Sequence, residues 1–207
     1  MGSAGDRSIA RGNPALRPLR SAVRIVALAN LAYFGIEFAV ALSIASVSLF
    51  ADSIDFLEDA SVNFLILLAL SWADRARARI GMLLAGLLLA PSIATVWTAI
   101  DKVFVPVAPQ PLPLSLTGAG ALAVNLACAL LLARYKDHYG SLTKAAFLSA
   151  RNDAIANIAI ITAGGMTALS RSMWPDLIVG LGIAVMNADA AREVWTAASG
   201  EHRAATS

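Results

Sequence analysis

Four carboxylates stand within eight residues of one another in an otherwise apolar run: Asp52, Asp55, Glu58 and Asp59 in "SVSLFADSIDFLEDASVN". At helical periodicity Asp52, Asp55, Asp59 and Asn63 fall within about 80° of one another, so Asp55 and Asp59, one turn apart, address the same small volume. Glu58 lies about 100° off that stripe and is expected at an interhelical or lumenal contact. A second apolar stretch repeats part of the pattern. "DFLEDASVN" (55–63) and "SARNDAIAN" (149–157) share Asp-Ala at their fifth and sixth letters and Asn at their ninth. In the second stretch Ser149, Asp153 and Asn157 share a comparable arc, flanked by Arg151 and Asn152. Carboxylates crowded at low dielectric repel one another and take up protons. A divalent cation relieves the same repulsion, and competition between the two is the physical basis of metal/proton exchange. The alternative for any one of these groups is an interhelical hydrogen bond and nothing more.

The elements that must position these groups are membrane spans. Of 207 residues, 58% are hydrophobic and 14% charged, where a soluble domain carries about 25% charged residues. A helix needs about 20 predominantly apolar residues to cross a bilayer, and six such runs are legible, at 22–46, 47–72, 80–104, 114–134, 143–169 and 177–197. They are separated by a direct turn near Ala45 to Ser48, then "ADRARAR" (73–79), "VPVAPQPLP" (105–113), "YKDHYGSLT" (135–143) and "SRSMWPD" (170–176). Such charged and proline-rich connectors do not sit unpaired in lipid. The loop charges alternate: Arg7, Arg11, Arg17, Arg20 and Arg24 precede the first span, Arg75, Arg77 and Arg79 follow the second, and Arg134, Lys136 and Lys144 flank the fourth break. The positive-inside rule then puts both termini in the cytoplasm. Glu37 inside the first span and the immediate second span argue against a cleaved signal peptide. The expected fold is all-α and integral to the membrane: residues 1–21 a disordered cytoplasmic tail, 22–197 a six-helix domain, 198–207 a short cytoplasmic tail.

Other chemistries find little support. Cys128, the single cysteine, excludes an internal disulfide and a paired-cysteine metal clip, and reads as a small residue packed in a span. His138 and His202 fall in a loop and a tail. No phosphate loop, G-x-S-x-G or H-E-x-x-H element is present. A lipid head-group transferase would need Gly after the second aspartate of D-x-x-D, where Phe56 stands, and an intramembrane aspartyl protease would need G-x-G-D. The chain is therefore expected to be neither an enzyme nor a nucleic-acid binder, with a non-transporting membrane scaffold as the remaining alternative. Asn187, Asp189, Arg192 and Glu193 read as an interfacial charge cluster.

The second span resembles the "S-x-x-L-x-A-D-x-x-(H/D)-x-x-x-D" signature of the cation diffusion facilitator family of divalent-metal transporters. "SLTKAAFLSARNDAIAN" in the fifth span resembles that family's second ligand motif, and Glu37 and "WPDLIVGLGIAV" also follow its pattern. The resemblance implies a metal site between the second and fifth helices, with the first, second, fourth and fifth around it and the third and sixth paired beside it. It places metal ligands on Asp55, Asp59 and Asp153. Ser149 stands where the family usually has His or Asp, so Ser149, Asn152, Asn157 or a water would complete the shell, with Asp52 and Glu37 as auxiliaries. Asp52 could instead cap or orient the start of the second span. Two three-helix halves of opposite orientation, with the substrate at their interface, are a recurrent transporter plan, and the paired nine-residue stretches lie in the middle helix of each half.

By the same resemblance the cargo is zinc, exchanged for protons, and the working form is a homodimer in a bacterial inner membrane. Gly81 and Gly86 are candidate close contacts. Zinc favours imidazole and thiolate ligands, whereas an oxygen-only site suits manganese, magnesium or iron(II), with cobalt also compatible. No separate cofactor is expected. The chain runs about ten residues past the sixth span, too short for the family's usual cytoplasmic metal-binding domain.

Overall fold

The computed structural model describes residues 17–69, 93–135 and 141–204, with the side chains of 66, 68, 69, 141–149, 190, 191 and 193–204 outside the described set. The arginine-rich break at 73–79, Gly81, Gly86, His138 and most of the N-terminal tail lie outside the described residues, as do the side chains of Ser149, Glu193 and His202. Every regular element among the described residues is helical: α1 (Arg17–Ile44), α2 (Val47–Ala69), α3, described over 93–104, α4 (Pro111–Ala133), α5 (Ser141–Ser170) and α6 (Trp174–Ala204).

Three described stretches, Arg17–Ile44, Pro111–Ala133 and Ala150–Ser170, are long and apolar enough to cross a membrane. The 23 residues of α2 also span about 35 Å, although they carry four carboxylates. Large apolar side chains project outward along the helices, among them Leu28, Ile36, Leu116, Leu130, Ile158 and Val185. An apolar exterior of this kind is what lipid covers, since hydrocarbon imposes no penalty on it.

The helix ends are chemically specified, and several differ from the apolar runs. The turn between α1 and α2 is as short as expected. Ala45 takes the left-handed conformation (φ 52°) and the Ser46 N–H returns to the Ala41 carbonyl at 3.0 Å, the longer bond of a Schellman ending. α4 begins at Pro111, inside the proline-rich break, because proline lacks only an N–H that a first turn leaves unpaired anyway. α5 ends with Arg171 left-handed (φ 51°), its N–H bonding the Thr167 carbonyl at 2.8 Å.

The most extensive interfaces are α1 with α2 and α4 with α5, and α2 also packs on α6 and α5. Gly118 of α4 and Gly164 of α5 have no room for a side chain, because Ile160 and Ser115 respectively occupy the space. One apolar cluster joins α1 to α4 through Val23, Val26, Cys128 and Leu132. A second, including Ala41, Leu49, Leu114, Ile160 and Ile183, ties α1, α2, α4, α5 and α6 together. Between these clusters lies a polar interior.

Candidate metal site

A cavity of about 160 Å³ opens where α2, α5 and α6 meet. Asp55, Glu58 and Asp59 of α2 line it, with Asn152 and Asp153 of α5 and Met186 and Asn187 of α6. Of the expected ligands, Asp55, Asp59 and Asp153 thus share one space, together with Asn152. Asp55 stands in the repulsive field of Asp153, Asp52, Glu58 and Asp59. Glu58, off the stripe by angle, nevertheless forms part of the wall, because the cavity subtends a wider arc of α2 than one row of side chains. Asn187, read from sequence as interfacial, is 8% exposed and faces the same space. The carboxylates line the cavity without closing on a single point: no group of three or more His, Cys, Asp or Glu stands at ligand spacing among the described residues. Ser149 belongs to α5, but its side chain is outside the described set.

Two hydrogen-bonded relays hold the acidic face of α2, and both start on α4. In the first, the Cys128 thiol donates to Asn30 Oδ1 at 3.6 Å and Asn30 Nδ2 donates to Asp59 Oδ2 at 3.3 Å. In the second, Asn125 Nδ2 donates to Asn157 Oδ1 at 3.3 Å, and Asn157 Nδ2 donates to both oxygens of Asp52, at 3.0 and 2.8 Å. Asn125 and Cys128 are three residues apart on one face of α4, so a single helix supports two carboxylates two turns apart on α2. Asn30, Asp52 and Asn157 are fully buried, where an unmade hydrogen bond costs about 1–3 kcal/mol. Asn30 and Asn125 are not among the site residues expected from the sequence, although an Asn inside an apolar span is itself a signal of such a partner.

The relays divide the stripe expected on α2. Asp52 is drawn away from the cavity toward Asn157 and Glu37, and it does not cap α2. Ser46 does that, its hydroxyl accepting the Leu49 N–H at 3.2 Å. Glu37 is fully buried beside Asp52, yet neither of its carboxylate oxygens meets hydrogen-bond geometry with a partner among the described residues. The two matched stretches also part company at their last letters. Asn63 folds back to its own helix, Nδ2 bonding the Asp59 carbonyl at 2.8 Å, while Asn157 crosses to α2. With its carbonyl and amide both engaged, Asn157 supports Asp52 rather than facing the cavity.

A ring of oxygen donors in a small, partly buried space suits a hard or borderline divalent cation. Met186 is the one lining residue whose donor is not oxygen or an amide. Against protein families, residues 23–199 match the model described as the cation efflux transmembrane domain. No curated protein matches the chain.

Proposed function

The chain belongs to the cation efflux family, membrane transporters of divalent metal cations, and we propose that it exports its ion from the cytoplasm in exchange for protons. Asp55, Asp59 and Asp153 ligate the ion, with Ser149, Asn152 or water completing the shell. Asp52, Asn157 and Glu37 form the polar support behind it. The observation that carries this reading is the shared cavity: aspartates from the middle helix of each half, 94 residues apart at Asp59 and Asp153, line one space of about 160 Å³. Carboxylates crowded in such a space repel one another, a repulsion that a divalent cation or protons relieve, so that metal and protons compete for it. Protonation from the far side would then release the ion.

Zinc is the first choice of cargo on family grounds. The donor set, free of imidazole and thiolate among the described lining residues, makes manganese, iron(II) and cobalt direct rivals. By the same kinship the protein works as a homodimer through its spans, in a bacterial inner membrane. A panel of zinc, manganese, cobalt and iron(II) in proteoliposomes with an imposed pH gradient tests the reading. Flux is expected to depend on the gradient and to vanish in Asp59→Ala and Asp153→Ala proteins that remain folded. Undiminished flux in either variant would remove these residues from the site.

A further inference from the structure

Eleven residues separate Ser48 from Asp59 on α2, and eleven separate Asp176 from Asn187 on α6. Eleven residues make about three turns and roughly 16 Å of rise, so both members of each pair share a helix face. The first members meet at one end. Asp176 Oδ1 accepts from the Ser46 hydroxyl (2.6 Å), the Ser48 hydroxyl (2.7 Å) and the Ser48 N–H (3.1 Å), while Oδ2 accepts from the Val47 N–H (3.0 Å). The second members, Asp59 and Asn187, both line the cavity. α2 and α6 therefore run side by side in the same direction, from a common joint to a common ion site.

The joint is over-determined. The Lys102 ammonium of α3 pairs with Asp176 Oδ2 at 2.8 Å and also donates to the carbonyl of Ala45, the residue held in the left-handed turn. Lys102 is 5% exposed and Asp176 fully buried, so removing either partner leaves a charge without compensation. A Cβ on Gly180, one turn beyond Asp176 on α6, would stand 2.7 Å from backbone atoms of Val47 and Ser48. The α6 backbone meets the α2 backbone here, with Val47 Cγ1 also 2.8 Å from that position. A carboxylate accepting two backbone N–H groups at a helix start also matches the positive end of that helix.

We infer that Lys102, Asp176 and Gly180 are positioning residues for the ion cavity, locking the axial register of α2 against α6 about three turns away from it. This rests on the proposal that the cavity binds the transported ion. A merely structural cap would change stability and leave the affinity of folded protein alone. Loss of a register lock alters the spacing of Asp55 and Asp59 from the α6 wall, and therefore the apparent KM.

The test uses full-length protein in proteoliposomes, with zinc and manganese as probes. Asp176→Asn, Lys102→Met and Gly180→Ala are expected to raise KM about tenfold, toward the lower end of the roughly 5- to 150-fold coupling usual between distinct sites. Vmax per folded protein should hold, and Lys102→Arg should restore most of the affinity. Gly182→Ala, where a Cβ meets nothing within 4 Å, should match wild type. If Asp176→Asn does not fold, Lys102→Met and Gly180→Ala decide. Nitroxides at Ser61 and Ala188, in a Cys128→Ser background that keeps a hydroxyl donor for Asn30, report the α2–α6 separation without any need for transport, and the variants should broaden or shift it. Wild-type KM and an unchanged separation in the folded variants overturn the inference. A wild-type protein that moves no ion overturns the transport proposal instead, and the label separation alone then decides the register lock.

Discussion

At the scale of single residues, the site depends on amides as much as on carboxylates. Asn30 bonds Asp59, and Asn157 bonds both oxygens of Asp52, so each fixes a rotamer that Coulomb repulsion would otherwise scatter. Asn30→Leu keeps the volume and removes the donor. Its expected effect is a 10- to 100-fold loss of metal affinity, the usual consequence of losing a group that orients a ligand, with helical content unchanged. Isothermal titration of the purified variant with zinc and manganese checks it. That Asp55, Asp59 and Asp153 share one space was legible in the sequence, because buried ionisable residues at helical spacing need a reason to be there. Glu58 and Asn187 were not, since helical angles within one segment do not say how wide a cavity three helices will leave between them.

At the scale of elements, the turn at Ala45 is the feature most sharply specified. A non-glycine residue in the left-handed region costs roughly 1–2 kcal/mol, and here the Ser46-to-Ala41 bond and the Lys102 contact hold it there. Ala45→Gly should raise stability by up to about 1 kcal/mol, less what glycine loses in unfolded-state entropy. Ala45→Val, β-branched, should lower it by more. Thermal unfolding in detergent measures both. The site of this turn could be read directly, since two apolar runs abut at 45–48 without a connector. The start of α4 could not, because proline stretches mark breaks in composition while proline is tolerated in a first turn. In the sequence Asp176 stands out only as part of a family-like "WPD". Its partners lie 74 and about 128 residues away, beyond the reach of any local pattern.

At the scale of the whole molecule, ion binding and stability are one quantity. A cation that binds only the folded protein stabilises it by about 2.7 kcal/mol at a hundredfold excess over Kd. Zinc or manganese should therefore raise the melting temperature at neutral pH. The rise should shrink as the pH falls, because the ligating carboxylates must lose protons to bind, and it should be absent in Asp59→Asn. Differential scanning fluorimetry across pH 5 to pH 8 at fixed ion concentration reads out all three arms, with about neutral pH the favourable side for carboxylate ligands. The short turn between α1 and α2 also bears on how the molecule is made. A charged residue at the centre of a span costs about 2.5–3.5 kcal/mol during insertion, and α2 carries four. With two residues joining them, Ala45 and Ser46, α1 and α2 are expected to enter the bilayer as a hairpin. The apolar first helix is expected to carry the acidic second one across, so that biogenesis of the proposed site would begin with the helix of Asn30 and Glu37.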